Sequence, residues 1–382
     1  MKKVYYWSPC LDMVGTVKST INSAISLAKY SNQSDQVQVK VINSCGEWNK
    51  QKKLFEEKRV KVINFYEEGY YEHLPKKGYI QSRFSNLIVI FFSFLPLLKL
   101  LKKEKPDFII LHLITSLPLI LLKFFNFETK FILRISGYPK LNFLRKFLWK
   151  SVGSKIHKVT CPSSDLVFQL KKFDIFPKEK LSFLPDAVLN IQDLKKKKKI
   201  YNKHEMEENF FLAVGRLTKQ KNFKYLIDEF SEYLKIEPNQ KLLIFGEGEE
   251  KNMLQKKIID KKLEKNIFLK GNSKFIFDYM SSARAFILSS LWEEPGIVII
   301  ESAINNLLII SSDCKNGPRE FLDNGNAGIL FKNNSKGALF EKMLEFESLS
   351  KEEKKLKVFL AKKNSSKYSL FNHYTKLKLL LS

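Results

Sequence analysis

Short apolar runs of strand length alternate with helical patterns along almost the whole chain. In the first half "KKVYYW", "QVQVKVIN" and "KPDFIILHL" are typical of strands, and helical patterns lie between such runs. The same alternation restarts at "FFLAVGRL" and continues to "AGILF". Strands that alternate with helices in this way predict βαβ units and mainly parallel sheets. The sequence therefore predicts an α/β protein built from two Rossmann-like halves.

A lysine-rich segment lies between the two halves. Five consecutive lysines occupy residues 195–199, and acidic residues follow them, which is typical of a solvated linker. We predict an N-terminal domain over residues 1–188, a linker over 189–207, a second domain over 208–357 and an amphipathic C-terminal helix over 358–382. Open parallel sheets bind ligands at the carboxyl ends of their strands, so two such domains face to face predict a cleft for a nucleotide-bearing substrate.

The chain is strongly basic, with a formal net charge of +26 over 382 residues. Only seven of its 66 basic residues are arginines, whereas nucleic-acid recognition favours the bidentate contacts of arginine. We therefore predict no nucleic-acid partner. Residues 1–190 hold 31 basic and 15 acidic residues, so most of the surplus lies in the N-terminal half. This half is the better candidate for contact with an anionic membrane surface.

The cysteines and the apolar segments indicate a cytoplasmic protein. The four cysteines are scattered without paired spacing, which is typical of reduced thiols and not of a disulfide framework or a zinc site. No stretch reaches the roughly 18 uninterrupted apolar residues of a membrane span. The longest, 87–98 and 108–122, predict buried elements, with a shallow interfacial contact as the alternative. We expect peripheral association with the cytoplasmic face of the inner membrane.

Two cations follow the first strand of the second half, in "VGRLTKQKN". Gly215 ends the strand, and Arg216 and Lys221 lie five residues apart across a short loop that leads into a helix. A guanidinium and an ammonium at a helix N-terminus are typical of a site that binds a diphosphate. The alternative is that both are ordinary surface cations, of which this chain has many.

Two glycine-containing turns follow the next strands. "FGEGEE" begins like a dinucleotide-binding motif, but Lys251 replaces the third glycine, and the glutamates would repel a pyrophosphate. We therefore predict a tight turn there and no bound cofactor. In "FLKGN", Gly271 ends a strand, where the lack of a side chain would let a flat nucleotide base approach the backbone.

Two glutamates, eight residues apart, flank the start of an apolar helix in "SLWEEPGIVIIES". Glu293 lies in the loop, and the Pro-Gly step starts the helix. Free N–H groups near Gly296, Ile297 and Val298 are predicted to face an anion or hydroxyl groups. Glu301 lies on the apolar helix, where a carboxylate is costly unless strong donors such as sugar hydroxyls meet it. The alternative is that Glu301 faces water on an amphipathic helix.

Five motifs of the second half, taken in order, resemble the C-terminal half of the retaining GT-B glycosyltransferases of family 4. They are "GRLTKQKN", "IFGEGEE", "FLKG", "SLWEEPGIVIIESA" and "SDCKNGPREFLDNGNAGILF", and they cover residues 208–335. The E-x7-E motif of that family is Glu293 and Glu301 here. The N-terminal half is similar more loosely, through Gly15, "KPDFIILH" and "CPSSD". The "SSDCKNGPRE" variant resembles bacterial enzymes that build O-antigen and related surface glycans.

The resemblance implies a GT-B fold, with two Rossmann-like domains facing across a cleft and a C-terminal helix that returns to the N-terminal domain. It implies a hexosyltransferase that moves a sugar from a nucleotide donor, UDP-linked in our prediction, to a lipid-linked or glycan acceptor with retention of configuration. The nucleotide sugar would be a co-substrate, and no further cofactor is expected. No DxD triplet occurs, so we predict no metal, and Arg216 and Lys221 would supply the positive charge.

The family also implies roles for single residues. Arg216 and Lys221 would bind the diphosphate and stabilise it as it leaves. Glu293 would contact the sugar and stabilise positive charge on its ring, and Glu301 would hold the ribose hydroxyls. Gly15 would close over the diphosphate from the N-terminal domain. The remaining donor-binding positions of the resemblance are Gly215, Gly271, Glu294, Pro295, Gly296, Ile297 and Val298.

The sequence departs from the family pattern at two places. The usual E-G-F-G opening is "EEPG" here, which changes the loop that contacts the sugar. Many members carry a histidine after the strand that here ends in "LRISGYP", where this chain has Ser136 or Gly137. His112, after the preceding strand, is the only nearby imidazole. These three residues are our candidates for the acceptor side of the site.

Two other functions fit parts of the pattern. A nucleotide-sugar epimerase of similar two-domain shape would also bind a nucleotide sugar, but the N-terminal half offers no candidate acid–base set. A basic protein that binds membranes or nucleic acid and carries a degenerate site would explain the charge. Saturable UDP binding that is lost in Arg216→Ala would exclude the binding protein. The products formed with and without acceptor would separate transfer from epimerisation.

Overall fold

The computed structural model describes residues 1–11, 15–31, 36–75, 79–190 and 209–382. The chain folds into two compact units. Unit 1 comprises Met1–Val188 and Tyr368–Ser382, and unit 2 comprises Leu189–Lys367. The predicted linker over 189–207 lies outside the described residues, except for its first two positions.

Unit 1 contains a parallel sheet of seven strands in the order β3-β2-β1-β4-β5-β6-β7. Its strands are β1 (Lys2–Trp7), β2 (Val37–Asn43), β3 (Lys61–Asn64), β4 (Phe108–Leu111), β5 (Lys130–Arg134), β6 (Lys158–Cys161) and β7 (Leu181–Phe183). Its first helices are α1 (Gly15–Tyr30), α2 (Lys52–Glu57), α3 (Tyr79–Glu104), α4 (Ser116–Phe124), α5 (Phe143–Val152) and α6 (Ser164–Lys172). The strand order reverses between β1 and β4, as in a doubly wound sheet.

Unit 2 contains a parallel sheet of six strands in the order β10-β9-β8-β11-β12-β13. Its strands are β8 (Phe210–Val214), β9 (Lys241–Phe245), β10 (Ile267–Gly271), β11 (Ala285–Leu288), β12 (Ile309–Ser312) and β13 (Ile329–Phe331). Its helices are α7 (Phe223–Tyr233), α8 (Lys251–Asp260), α9 (Ile276–Ser282), α10 (Ile297–Ile304), α11 (Pro318–Phe321), α12 (Ala338–Ser348) and α13 (Lys351–Ser365). The predicted pair of Rossmann-like parallel sheets is confirmed.

The C-terminal segment forms two helices where the sequence predicts one. The predicted helix runs over 358–382, whereas α13 ends at Ser365 and α14 (Leu370–Leu380) follows. The hydroxyl of Ser369 accepts a hydrogen bond from the N–H of Asn372 (3.2 Å) and so starts a new helix. Since α14 belongs to unit 1, the predicted return of the C-terminal helix to the N-terminal domain is confirmed.

Two helical layers cover the sheet of unit 1. Residues of α1, α2 and α14 pack on one face, and residues of α3 to α6 pack on the other. The central strand β1 serves both layers, because Val4 and Tyr6 join the first cluster while Tyr5 and Trp7 join the second. None of these four side chains is exposed. This burial follows from the period of two in a strand that is covered on both faces.

Polar side chains fix the start of several helices. The side chain of Asn142 accepts a hydrogen bond from the N–H of Arg145 (2.9 Å) at the start of α5. At the start of α6 the hydroxyl of Ser163 accepts from the N–H of Leu166 (3.3 Å). Such caps satisfy N–H groups that have no partner inside the helix.

Candidate active site

The predicted donor-binding residues lie where strands of unit 2 end. Gly215 and Arg216 follow β8, Gly271 is the last residue of β10, and Glu293 follows β11. Because all six strands are parallel, their carboxyl ends lie at the same edge of the sheet. The structure therefore gathers residues from separate parts of the sequence on one edge of unit 2.

Lys221 and Glu293 form a nearly buried ion pair at this edge. The Nζ of Lys221 donates to the Oε1 of Glu293, and the two side chains are only 13% and 6% exposed. The hydroxyl of Ser290 donates to the same Oε1 (2.5 Å). A buried carboxylate is costly unless a cation and hydrogen-bond donors compensate it, and both are present here. The sequence predicts both residues in the site but does not predict their contact.

Hydrogen bonds join the loop that carries Lys221 to the loop that carries the carboxylate. The hydroxyl of Ser289 donates to the carbonyl of Lys221 (2.8 Å). The N–H of Leu291 donates to the carbonyl of Gln220 (2.8 Å), and the side-chain amide of Gln220 donates to the carbonyl of Trp292 (2.9 Å). The two loops are therefore held together along their length, so the ion pair is held in place before any ligand binds.

Glycines let three loops pack closely beside the ion pair. A Cβ at Gly215 would lie 3.0 Å from the Cε of Lys221, so this glycine makes room for the lysine stem. A Cβ at Gly246 would overlap the carbonyl oxygen of Gly215, and a Cβ at Gly248 would overlap that of Leu217. The glycines of "FGEGEE" therefore serve the close backbone approach of a tight turn, as the sequence predicts.

Arg216 and Gly271, also predicted to bind the donor, differ in how far they are exposed. Arg216 is exposed, in contrast to Lys221 on the same loop. Gly271 is half-buried and has a φ of +67°, which lies in the left-handed region that favours glycine. A Cβ at Gly271 would lie 2.9 Å from the Oε1 of Glu247. A side chain at this position would therefore close the space beside the end of β10.

The first turn of α10 has no side-chain cap. Gly296 precedes it with a φ of +86°, again in the left-handed region. As a glycine, Gly296 offers no side chain to the first N–H groups of this helix, at Ile297 and Val298. Such N–H groups, with the positive end of the helix dipole, form a site that attracts anions.

Glu301 lies on α10, one turn after its start. Its residue is half-buried, whereas Ile300 and Ser302 on either side are fully buried. The carbonyl of Glu301 accepts a hydrogen bond from the side-chain amide of Asn305 (2.8 Å). The apolar run therefore does not bury Glu301 in the core, and a ligand at the surface of unit 2 can reach it.

The loop after β12 supports the "EEPG" loop, and the sequence analysis assigns no role to it. The side-chain amide of Asn316 donates to the Oε1 of Glu294 (2.5 Å). Gly317 has a φ of +128°, and a Cβ there would lie 2.5 Å from the carbonyl oxygen of Pro295. The signal in the sequence was the Asn-Gly step of "SSDCKNGPRE", which is typical of a turn with positive φ.

Unit 1 carries the remaining predicted residues, at the carboxyl edge of its own sheet. Gly15 is the first residue of α1 and is exposed. His112 follows β4, while Ser136 and Gly137 follow the neighbouring strand β5. Because β4 and β5 pair in parallel, the three candidates for the acceptor side lie at adjacent strand ends.

His112 is a buried, uncharged histidine. Its ring stacks on Tyr6 with 6.0 Å between the ring centroids. Among the described residues, neither its Nδ1 nor the Oγ of Ser136 has a hydrogen-bond partner. Burial, with the positive charge of Arg134 nearby, holds the pKa of His112 well below its usual range. The imidazole is therefore neutral at pH 7 and can accept a hydrogen bond from a hydroxyl group.

A second buried ion pair, near His112, was missed by the sequence analysis. The Nη2 of Arg134 lies 2.5 Å from the Oδ1 of Asp186, and the side chains are 2% and 8% exposed. The hydroxyl of Ser19 donates to the same oxygen (2.7 Å), and the Nη1 of Arg134 donates to the carbonyl of Leu184 (2.5 Å). The only signal in the sequence was an arginine within the apolar strand "FILRIS".

The part of the chain that the structure describes contains no group of three or more His, Cys, Asp or Glu side chains placed to hold a metal ion. The four cysteines are buried, and none of them forms a disulfide. The predictions that the protein needs no metal and no cofactor stay predictions.

Comparisons with known proteins identify the family. The sequence profile described as "Glycosyl transferases group 1" matches residues 194–360. An uncharacterised glycosyltransferase of Methanocaldococcus jannaschii is 31% identical over 295 residues, which are 71% of this chain and 72% of that protein. The UDP-Gal:alpha-D-GlcNAc-diphosphoundecaprenol alpha-1,3-galactosyltransferase of Escherichia coli is 29% identical over 65% of this chain and 66% of that protein. The N-acetylgalactosamine-N,N'-diacetylbacillosaminyl-diphospho-undecaprenol 4-alpha-N-acetylgalactosaminyltransferase of Campylobacter jejuni is 27% identical over 60% and 64%.

Solved structures share the fold over the whole chain. Staphylococcus aureus TarM, in complex with Fondaparinux, alpha-GlcNAc-glycerol and UDP, has a TM-score of 0.75 at 16% identity and covers 100% of both chains. A glycosyltransferase of Rickettsia africae has a TM-score of 0.73 at 18% identity and covers 99% of this chain and 97% of its own. The fold is thus the predicted GT-B fold, and with the profile match and the archaeal relative it shows that this chain belongs to the group 1 glycosyltransferases.

Proposed function

We propose that this glycosyltransferase moves a sugar from a UDP-linked donor to a lipid-linked or glycan acceptor, with retention of configuration and without a metal ion. The observation that carries the proposal is the Lys221–Glu293 pair on the same sheet edge as the uncapped start of α10. A cation and free N–H groups suit a leaving diphosphate, and a carboxylate suits a sugar ring that becomes positive.

Known relatives support the nature of both substrates. The E. coli relative is named for a UDP-Gal donor, and both it and the C. jejuni relative are named for diphosphoundecaprenol acceptors. The TarM structure contains UDP. The E. coli relative is also named for an alpha-1,3 linkage, and UDP-galactose is itself an α-linked donor, which supports retention in our proposal. We infer that this chain likewise acts in the synthesis of a bacterial surface polysaccharide.

The diphosphate would bind between Lys221 and the first turn of α10. An ammonium group carries three donors, so Lys221 can keep its bond to Glu293 and still donate to a phosphate oxygen. The exposed Arg216 on the same loop would add a bidentate contact. The N–H groups of Ile297 and Val298 would add fixed positive charge at the helix start. Together these groups would stabilise the leaving diphosphate, as a divalent ion does in metal-dependent transferases.

Glu293 would face the sugar ring during transfer. Its Oε1 accepts the hydrogen bonds of Lys221 and Ser290, so its Oε2 remains for a hydroxyl of the sugar. The bond from the sugar C1 to the phosphate oxygen breaks, and the bond from C1 to the acceptor oxygen forms on the same face. The proton of the acceptor hydroxyl passes to the leaving phosphate oxygen. During this step the negative carboxylate stabilises the positive charge that develops on the sugar ring.

The other donor contacts would come from the same edge of unit 2. Glu301 would accept hydrogen bonds from the ribose hydroxyls, on the helix whose first turn binds phosphate. Gly271 would let the nucleotide base approach the end of β10. The residues that would shape the two donor loops are Gly215, Glu294, Pro295 and Gly296.

Unit 1 would supply the acceptor side of the reaction. The neutral His112 would accept a hydrogen bond from an acceptor or sugar hydroxyl, because its Nδ1 is otherwise unsatisfied. Ser136 and Gly137 would lie beside it at the end of β5. Gly15, at the start of α1, would close over the diphosphate.

We also propose that the protein works at the cytoplasmic face of the inner membrane and has no nucleic-acid partner. The basic surplus of residues 1–190 supports attraction to anionic lipids. A lipid-linked acceptor is held in the bilayer, so the enzyme must reach it there.

The stereochemistry of the product tests the proposed reaction. Thermal-shift screening of nucleotide sugars first identifies the donor, and NMR then gives the anomeric configuration of the sugar in the product. An α-linked donor should give an α-linked product at a rate that EDTA does not change. Glu301→Ala should weaken donor binding by about tenfold, because a charged hydrogen bond contributes about 1.5–3 kcal/mol. A β-linked product would contradict the mechanism, and loss of activity in EDTA would contradict its independence of metal.

A further inference from the structure

Helix α3 is apolar on every side, but the described residues of the protein cover only one side of it. No charged residue occurs between Phe84 and Leu98. One stripe packs against unit 1 and is buried, namely Ser85, Val89, Ser93, Leu97 and Leu101. Another stripe is exposed to between 59% and 76%, namely Phe84, Leu87, Phe91 and Leu95. A helix that is apolar on all sides is normally buried on all sides. The exposed stripe therefore indicates an apolar environment outside the protein core.

The exposed side of α3 also keeps its backbone satisfied. Pro96 has no N–H and cannot bond to the carbonyl of Phe92 one turn earlier. The hydroxyl of Tyr66 donates to that carbonyl instead (2.8 Å). Both Tyr66 and Phe92 line an open groove of about 1020 Å³, and Lys99 is the one charged residue among the described residues that line it. A satisfied backbone in an apolar groove is what a hydrocarbon surrounding requires.

The neighbouring helices of the same layer continue the apolar surface. Helices α4, α5 and α6 cover the same face of the sheet as α3. Their large apolar side chains that are at least 56% exposed are Phe124, Phe143, Leu144, Phe147 and Phe168. An ordinary protein surface exposes large apolar side chains singly, whereas this helical layer exposes many of them.

Cations lie among these exposed side chains. The sequences of α3 to α6 contain ten basic and two acidic residues. Lys123 lies over the ring of Phe147, and Lys172 lies over the ring of Phe168, both at 4.4 Å from the ring centroid. On α3, Arg83 precedes the uncharged stretch and Lys99 follows it. Apolar side chains flanked by cations complement acyl chains flanked by anionic phosphates.

We propose that α3 lies within the surface of an anionic bilayer, with the stripe Phe84, Leu87, Phe91 and Leu95 among the acyl chains and the cations of α3 to α6 at the phosphates. Within the described residues, Gln81–Glu104 is the helix segment long and apolar enough to cross a membrane. Its buried stripe packs against unit 1, however, so α3 lies along the membrane and does not cross it. The reason for the protein to bind a membrane rests on the proposed function, with its lipid-linked acceptor. The physical basis of binding is the surface of α3 to α6 and does not depend on that function.

Flotation with lipid vesicles tests the surface without any glycosyl donor. The full-length protein should float with vesicles of phosphatidylcholine and phosphatidylglycerol at least tenfold more than with phosphatidylcholine alone, and salt should release it. Phe91→Glu combined with Leu95→Glu should reduce flotation at least tenfold. The matched control is Leu356→Glu combined with Phe359→Glu, a pair on α13 of unit 2 that is also more than half exposed, and it should float like the wild type. Circular dichroism and UDP affinity, expected to be unchanged in both variants, show that they fold.

Each other outcome overturns the proposal in a distinct way. A wild type that does not float, or a Phe91/Leu95 variant that floats equally well, would remove the surface. Retention on vesicles in alkali as well as in salt would indicate that α3 spans the membrane. A wild type that dimerises without lipid, and a variant that does not, would assign the surface to a second copy of the chain. Failure of the proposed function would appear instead as absent UDP binding, which flotation does not measure.

Discussion

The first six strands of each unit have the same order in the sheet, 3-2-1-4-5-6, yet the loops at the carboxyl edges of the two sheets are built differently. In unit 2 the loops at the carboxyl edge pack backbone to backbone through Gly215, Gly246 and Gly248 and hold the nearly buried ion pair of Lys221 and Glu293. In unit 1 the ion pair at that edge, Arg134 with Asp186, is buried, and a neutral histidine lies near it. The family profile matches only residues 194–360, which fall in unit 2.

This difference reflects the two kinds of ligand proposed for the units. A nucleoside diphosphate requires backbone N–H groups and fixed cations at close approach, which permits few sequences for the loops that hold them. An acceptor glycan varies between enzymes, so unit 1 needs only a fold, a few polar groups and a way to reach the acceptor. The four predictions below test this contrast, from the largest expected effect to the smallest.

Gly246→Ala should destabilise unit 2 more than Gly325→Ala does. Gly246 and Gly325 both have positive φ, at 141° and 101°, so alanine strains either position by about 1–2 kcal/mol. At Gly246 the new Cβ would also overlap the carbonyl oxygen of Gly215, whereas at Gly325 it would have no described atom within 4 Å apart from its own chain neighbours. Urea unfolding should show a loss of at least about 3 kcal/mol for Gly246→Ala and about 1 kcal/mol for Gly325→Ala. Equal losses would mean that close packing does not hold the loops of unit 2.

Acid should destabilise unit 1 before unit 2. The four histidines that the structure describes all lie in unit 1. His373 on α14 bonds through Nδ1 to the carbonyl of Pro185 (2.6 Å) and through Nε2 to the hydroxyl of Ser23 (2.7 Å). Burial lowers its pKa from 6.5 to about 4, against the weaker opposing effects of Pro185 and Asp186. The unfolded chain therefore binds the proton first, so stability is intact above pH 6.5 and falls as the pH drops towards 4, by about 3 kcal/mol.

Tryptophan fluorescence can follow this transition, because Trp7, Trp48 and Trp149 are buried in unit 1 and only Trp292 lies in unit 2. His373→Gln is the control variant. It should be less stable at pH 7, since one of its two hydrogen bonds is lost, but its stability should depend less on pH between 6.5 and 4. A variant with the same pH dependence as the wild type would exclude His373 as the group that titrates.

The sequence predicted the architecture well because periodicity and strand burial are local signals. The central strand "KKVYYW" and the return of the last helix followed from apolar patterns and from the family resemblance. The break between α13 and α14 did not, because Ser369 looks like any serine on a helix until its hydroxyl is seen to bond to the N–H of Asn372. Helical periodicity continues on both sides of that cap and conceals it.

The site was predicted as a set of residues, but not as a set of contacts. Glu293 and Lys221 are far apart in the sequence, and only the pairing of strand ends brings them together. The bond from Asn316 to Glu294 depends on two loop conformations that no local pattern encodes. The buried pair of Arg134 and Asp186 escaped for the same reason. Long-range polar contacts are therefore the part of this site that required the structure.

Glu293→Gln should separate catalysis from binding in unit 2. Glutamine keeps the size of the side chain and an oxygen that can accept from Lys221 and Ser290, but it removes the charge that opposes the sugar ring. Turnover should fall by about 10²-fold or more, as for the loss of one preorganised electrostatic group, while UDP affinity changes little. The matched control is Glu294→Gln, whose carboxylate bonds to Asn316, and it should cost much less. Equal losses in the two variants would contradict a special role for Glu293.

Arg216→Ala should have the smallest effect of the four, and it should act on ligand binding alone. The loss of one charge-assisted contact of about 1.5–3 kcal/mol should weaken UDP binding by about tenfold or more in isothermal titration calorimetry. The melting temperature should not change, because the Arg216 side chain is exposed. Lys219→Ala removes an exposed cation from the same loop and should leave UDP affinity unchanged.

Lys221→Ala should weaken UDP binding as well, but it should also lower the melting temperature, since it leaves the buried Glu293 without its cation. Unchanged UDP affinity in both Arg216→Ala and Lys221→Ala would show that the cations of unit 2 do not bind the donor, and the contrast between the units would then lose its basis.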